Sequence, residues 1–190
     1  MLQKSHEMKI DCCVKDNDDK KSALGRKIDL LLNASFMEIS SSEWKKDGIS
    51  FGLAEQQQIK NVRTNSAILR ELLKLPINQE KKNDLFVLGM DWIGVCGYVF
   101  AVKETNDVHV AYHVGDLILP ASLSSFEDFQ KTLDTLFSFK NHQLRLKRII
   151  EPAYNKQSAS NTLRSFRSVT PPPNQQSTPP KTFFTPVKKQ

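Results

Sequence analysis

The sequence predicts an α/β or α+β domain, with strands and helices interleaved around one sheet, and three observations carry that expectation. An alternating apolar run with a second strand-like stretch behind it occupies residues 28–45. An amphipathic helical pattern follows at 53–75, and a second one follows three more apolar segments. The order strand, strand, helix, strands, helix is that of helices packed on a sheet.

In the first strand Ile28, Leu30 and Leu32 alternate with Lys27, Asp29 and Leu31, giving one strongly apolar face. Asn33-Ala34-Ser35 reads as a turn, and Phe36 to Lys45 as a second, irregular strand that Asp47-Gly48 ends. From Leu53 to Leu75, residues Ile59, Val62, Leu69, Leu72 and Leu73 recur at helical spacing, and Pro76 stops the helix. "NQEKKND" reads as a polar loop. Leu85–Met90, Tyr98–Lys103 and Val108–Val114 are strands, the last two joined through "ETND" as a hairpin. Ser124 and Glu127 form a capping box that opens a helix with Phe126, Phe129, Leu133, Leu136 and Phe137 on one face. Arg145, Lys147 and Arg148 suit its C-terminal end, and Pro152 is expected to stop it.

Composition divides the 190 residues into three parts. Residues 1–24, with the charge cluster "DNDDKK", read as a poorly ordered arm, and residues 25–152 as the folded domain. Residues 153–190 are rich in Pro, Ser, Thr, Gln and Asn and read as a disordered basic tail with too little apolar surface to offset ordering. The net charge of +6 belongs mostly to that tail. Residues 151–190 hold six basic residues against one acidic, leaving 21 basic and 20 acidic before them. The body therefore lacks the global field of a DNA-binding protein. No apolar run is long enough to span a bilayer, and the polar N-terminus has no signal-peptide core, so an intracellular location, nucleus or cytoplasm, is expected. Three cysteines without CxxC spacing indicate neither a disulfide framework nor a zinc site.

The chemistry sits between Gly25 and Arg63. A buried charge is costly unless it is paired or holds a metal, yet the first strand carries Asp29 and the second carries Glu38, Glu43 and Lys45. Mg2+ takes oxygen ligands and keeps several waters, so two carboxylates plus a substrate phosphate suffice to hold it. Residues two apart on a strand share a face, which puts Glu43 with Lys45 and turns Trp44 toward the core. Three ExK triplets occur, at Glu7, Glu43 and Glu80, and only the middle one follows an Asp-bearing strand and precedes a long helix. The register is open. A tight turn at Asn33-Ala34 would set Asp29 opposite Glu38, whereas a wider loop or a bulge among Ser40–Ser42 would bring Glu43 and Lys45 to Asp29. Cross-strand ion pairs on a solvated hairpin face would explain the same charges without any site.

The order Asp, then Glu-x-Lys on the next strand, then a helix, resembles the PD-(D/E)xK nuclease superfamily. More broadly, "GRKIDLLL…MEISSSEWKK…QQQIKN", "LGMDWIGVCGYVFAV" and "HVGDLILPASL" resemble a group of uncharacterised intracellular fungal proteins, over about Gly25 to Ile150. The resemblance implies a restriction-endonuclease-like mixed sheet flanked by helices, and Mg2+-dependent cleavage of DNA or RNA phosphodiesters. It implies Asp29 and Glu43 as metal ligands and Lys45 as the group that assists the attacking water, with Glu38 auxiliary. A glutamine on the following helix lies beside the site in one branch of the superfamily, and Gln56, Gln57 and Gln58 offer it, Gln57 being the auxiliary candidate. Lys60 and Arg63 on that helix would meet nucleic-acid phosphate. The superfamily core opens with a helix and a strand that residues 1–24 match poorly, which reads as truncation and leaves a catalytically silent interaction module as the alternative.

Other residues have plainer readings. Trp44 and Trp92 read as core anchors, His109 and His113 as structural residues sharing a strand face, and Asp91 and Asp116, beside glycines, as turn formers. In the tail, "TPPK" and "TPVK" place Thr178 and Thr185 in contexts that resemble proline-directed kinase sites, and "KTFF" would serve as an aromatic docking peptide for a protein partner.

Overall fold

Five strands form one mixed sheet in the order β1-β2-β3-β4-β5, so sequence order and spatial order coincide. The computed structural model describes residues 28–120, 122 and 126–167. Strands β1 (Leu30–Ala34) and β2 (Met37–Lys45) make a hairpin, helix α1 (Phe51–Leu73) crosses the sheet, and a short α2 (Gln79–Asn83) leads into β3. Strands β3 (Phe86–Ile93), β4 (Cys96–Thr105) and β5 (Val108–Ile118) form a meander, and helix α3 (Phe126–Arg167) closes the chain described. Every neighbouring pair is antiparallel except β2 and β3, which run parallel because α1 carries the chain back between them.

Local chemistry accounts for the turns. Asn106 and Asp107 both adopt positive φ, 52° and 61°, as a two-residue type I′ hairpin requires, and they are the centre of "ETND". The β1–β2 loop is also two residues long, but it is Ser35-Phe36, with Ser35 at φ 57° and its hydroxyl donating to Glu151 of α3 at 2.8 Å. The Ser50 hydroxyl caps α1, accepting from the Leu53 N–H. Asn78 caps α2 in the same way, so the expected "NQEKKND" loop contains one helical turn.

The two helices lie on opposite faces, as the alternation of β3 shows. Gly89 and Asp91 face α1, while Phe86 contacts His142 and Leu88, Met90 and Trp92 cluster with Phe139 of α3. A second cluster joins Ile68, Leu69 and Leu72 of α1 to Val87, Phe100 and Val102 of the sheet and to Leu146 and Ile150 of α3. Burial of these side chains away from water supplies the main driving force for the fold.

Two expectations about the helices are corrected. Ile59 does not face the core but is exposed, and α1 instead buries Gln57, Asn61 and Asn65, followed by Ile68, Leu69 and Leu72. Polar side chains occupy an inward face when strand groups answer each hydrogen bond, and apolar periodicity cannot register that. Helix α3 also does not end by Pro152 but continues through it to Arg167. Pro152 costs one helical hydrogen bond, but buried Ile150 and Ala153 on either side hold the helix to the core across the break. Residues 153–167 are therefore helical. Residues 1–27 and 168–190, including Thr178 and Thr185, lie outside the described residues, as do Ser124 and the proposed N-terminal arm. Among the described residues no helix is long and apolar enough to cross a membrane.

Candidate active site

The site is set by one irregularity in β2. Leu30, Leu31 and Leu32 pair with Ser42, Ser41 and Ser40, and then Asn33 pairs with Glu38, so Ile39 is an extra residue. This bulge combines a tight turn with the register that the tight turn alone would forbid. Continuing past Leu30, Asp29 comes level with Glu43, and its Oδ2 accepts the Trp44 N–H at 2.8 Å. Glu38 is left exposed at the other end of the hairpin, opposite Asn33.

Beyond the bulge Ser41 and Glu43 point toward α1, while Ser40 and Ser42 bond to the β3 backbone, Ser40 donating to the Leu88 carbonyl and Ser42 accepting from the Met90 N–H. Glu43 is only 1% exposed, and its Oε1 meets the Lys60 Nζ at 2.7 Å. Lys60 thus turns inward from α1 rather than lying along a solvated face. Burial pushes the Glu43 carboxyl above its ordinary value of 4.5. The Lys60 contact opposes that shift, the nearby Asp29 carboxylate adds to it, and the nearby Lys45 ammonium opposes it. Asp29, Glu43, Lys45 and Lys60 therefore share one electrostatic neighbourhood. Lys45 is exposed, and Arg63, one turn beyond Lys60, is partly buried.

The parallel register sets Asp91 of β3 directly beside Glu43. Asp91 is no turn former: it is buried, its Oδ1 accepts from Asn61 Nδ2 at 2.9 Å and Gln57 Nε2 at 3.3 Å, and its Oδ2 accepts from the Tyr98 hydroxyl at 3.0 Å. Burial and the Asp91 charge raise the Tyr98 hydroxyl well above its ordinary value, which keeps it a donor. Of the three glutamines, Gln57 is the buried one. Its Nε2 reaches the Glu43 carbonyl, the Trp92 carbonyl and Asp91, each at 3.3 Å, so one amide ties β2 to β3 at the site. Its Oε1 is buried without a donor among the described residues.

One and two turns further along α1 the same face continues the ladder. Asn61 donates to the Met90 carbonyl and accepts from the Ser41 hydroxyl, both at 2.9 Å. Asn65 pairs with the Ser41 backbone, accepting from its N–H at 2.9 Å and donating to its carbonyl at 3.0 Å. Gly89 makes that approach fit, because a Cβ there would sit 2.6 Å from Asn65 Nδ2 and 2.6 Å from the Phe100 ring.

Trp44 does not turn into the core as expected. It is 42% exposed and stacks flat on Trp92, with ring centroids 5.0 Å apart, while Trp92 itself is buried as read from the sequence. Asp116 likewise lies within β5 rather than in a turn and contacts His113 at 2.9 Å, and His109 contacts Glu104 at 3.3 Å.

Tyr98, Asn61 and Asn65 were not singled out from the sequence, and Asp91 was read as a turn former. Asp91 carried a usable signal, since it is the one charge in the apolar run from Leu85 to Ile93, the same anomaly that marks Asp29. The two asparagines carry a weaker one: with Gln57 they recur every four residues, the spacing of one helical stripe. Comparison with protein families, with curated proteins and with solved structures finds no match for this chain.

Proposed function

We propose that the chain is a Mg2+-dependent phosphodiesterase acting on DNA or RNA. Asp29 and Glu43 are its metal-binding carboxylates and Lys45 is the residue that orients the attacking water. The observation that supports this most is the Ile39 bulge, which sets Asp29 level with Glu43, whose carboxyl feels both Asp29 and Lys45. The donor set suits the ion: two carboxylates offer hard oxygen ligands, and substrate phosphate and water complete the shell. Among the described residues no group of three or more His, Cys, Asp or Glu side chains is placed to hold a metal. When bound, Mg2+ supplies charge stabilisation at the phosphate oxygens and an acidified water. The chain's own contributions are distinct. Lys60 opposes the upward shift that burial imposes on Glu43, Gln57 and Asp91 tie β2, which carries Glu43 and Lys45, to β3, and exposed Lys45 faces the solvent from which substrate arrives.

Incubation of the purified chain with linear duplex, single-stranded DNA and RNA in Mg2+ or Mn2+, against EDTA, tests the proposal. Cleavage that needs metal and falls about 100-fold or more in Lys45→Ala is expected. Absence of metal-dependent cleavage, or cleavage unchanged in Lys45→Ala, overturns it.

One observation favours a second reading, a catalytically silent module of the same fold that captures a protein partner through its tail. Lys60 already neutralises Glu43 at 2.7 Å, a role a metal would otherwise fill. In that case truncation after Arg167 abolishes partner capture, phosphorylation of Thr178 and Thr185 modulates it by adding negative charge to a basic segment, and Lys60→Met produces no metal dependence. Capture retained by the truncated chain refutes the tail's role.

A further inference from the structure

A single helix about 10–12 Å across covers roughly two strands spaced about 4.8 Å apart, so α3 alone leaves part of one sheet face open. Two adjoining cavities occupy that opening. One, of about 660 Å3, is a trough between α3 and the β3–β5 strands, floored by Leu88, Val99, Ala101 and Phe139, rimmed by exposed Tyr112 and Val114, and with Asp134 on its α3 wall. The other, of about 520 Å3, lies beside α3 where Lys81, Lys103, Arg145 and Arg148 meet, with Asp84 as its one acidic neighbour. The two share Phe86, Lys103 and His142 as walls, so the apolar trough opens onto the basic cleft.

None of the four cations makes an ion pair with a described residue. Four like charges around one concavity repel each other unless an anion offsets them. His142 adds to this environment. Its Nε2 bonds to the Phe86 carbonyl at 3.1 Å, its ring stacks on Phe86, and burial together with Arg145 holds it below its ordinary value, hence neutral. The cleft thus presents fixed positive charge beside an uncharged aromatic step into the trough.

We infer that this groove is a binding site for an anionic amphiphile, with the carboxylate or phosphate head among Lys81, Lys103, Arg145 and Arg148 and the apolar body along Leu88, Val99 and Phe139. A nucleotide or a nucleic-acid backbone would use the cations and leave the trough wet, and an uncharged apolar ligand would leave the cations unanswered. Both cavities fall in the size range of small-molecule sites. The site lies on the sheet face opposite Glu43 and Asp91, so it is independent of the phosphodiesterase reading.

Displacement of a fluorescent dansyl-undecanoate from the full chain tests the inference, with saturated carboxylates of eight to sixteen carbons, oleate, 1-oleoyl lysophosphatidate, oleyl alcohol, ATP and a ten-residue oligo-dT as competitors. Saturable binding is expected, with affinity rising about two- to fourfold per methylene added and oleyl alcohol at least about tenfold weaker than oleate. Oleate against lysophosphatidate then tells which head group is preferred. Arg145→Glu with Arg148→Glu lowers affinity about tenfold or more, and Val114→Asp, at an exposed rim position, weakens long chains more than short ones. Circular-dichroism melts of both variants confirm folding. No saturable binding, no dependence on chain length, displacement by ATP or oligo-dT as effective as by oleate, or variants that fold and bind as wild type would each overturn the inference.

Discussion

The two faces of the sheet are built on the same strands by opposite means. Toward α3, Leu88, Met90 and Trp92 of β3 join Val99, Leu117 and Phe139 in an apolar cluster. Toward α1, the residues between them are Gly89 and Asp91, and they meet Asn61, Asn65 and Gln57, Ser41, Glu43 and Tyr98. Packing holds the first face, and it tolerates any side chain of the right volume. On the second, the C-terminal half of α1 also packs, through Ile68, Leu69 and Leu72, but its N-terminal half is held by hydrogen bonds with defined partners, where each lost group leaves another short of a partner. The difference lies in what the polar face fixes. An apolar interface would hold α1 against the sheet equally well. The amide ladder in addition fixes β2 against β3 at the level of Glu43, so this stretch of β2 is placed by directional bonds.

Breaking the apolar face should cost most. Leu117→Ala, at a fully buried position, is expected to lose about 2–5 kcal/mol in urea unfolding, and Leu117→Met much less. On the polar face Asn61→Leu keeps the volume but takes a donor from the Met90 carbonyl and the Asp91 carboxylate and the acceptor from the Ser41 hydroxyl. A loss of about 1–3 kcal/mol is expected, despite the gain in hydrophobicity, and a stabilised variant would contradict the contrast between the faces. Gly89→Ala is expected to cost about 1–3 kcal/mol by driving a methyl into Asn65 and Phe100.

The smallest effect is pH-dependent and has the opposite sign. Because the folded chain holds the Glu43 proton more tightly than the unfolded one, that group's contribution is full below pH 4.5 and is lost as pH rises through its raised folded value. Glu43→Gln removes this slope. The variant's urea midpoint should therefore exceed wild type's at pH 7.5 and match it more closely near pH 4.5. A variant less stable than wild type at pH 7.5 would mean that the Lys60 pair outweighs burial.

The sheet was legible in the sequence because period-two alternation and turn chemistry agree, as at Asn106-Asp107 and at the β2–α1–β3 crossover. The inward face of α1 was not, because Gln57, Asn61 and Asn65 look like a solvated stripe until their strand partners are in place. Asp91 was misread as a turn former for a related reason: adjacency of β2 and β3 is a long-range fact, and the glycines near Asp91 imitate a turn. Pro152 misled because its local cost was weighed without the burial on either side of it. The Ile39 bulge lies between these cases, since the sequence posed the choice of register and only the pairing decides it.

That register is the central claim, and titration with Mn2+ tests it most directly. Isothermal calorimetry on wild type, Asp29→Asn, Glu43→Gln and Glu38→Gln should give one site in wild type and in Glu38→Gln. The affinity should fall about tenfold or more in the other two. A site that depends on Glu38 and not on Glu43, or that is unchanged by all three substitutions, would contradict the account.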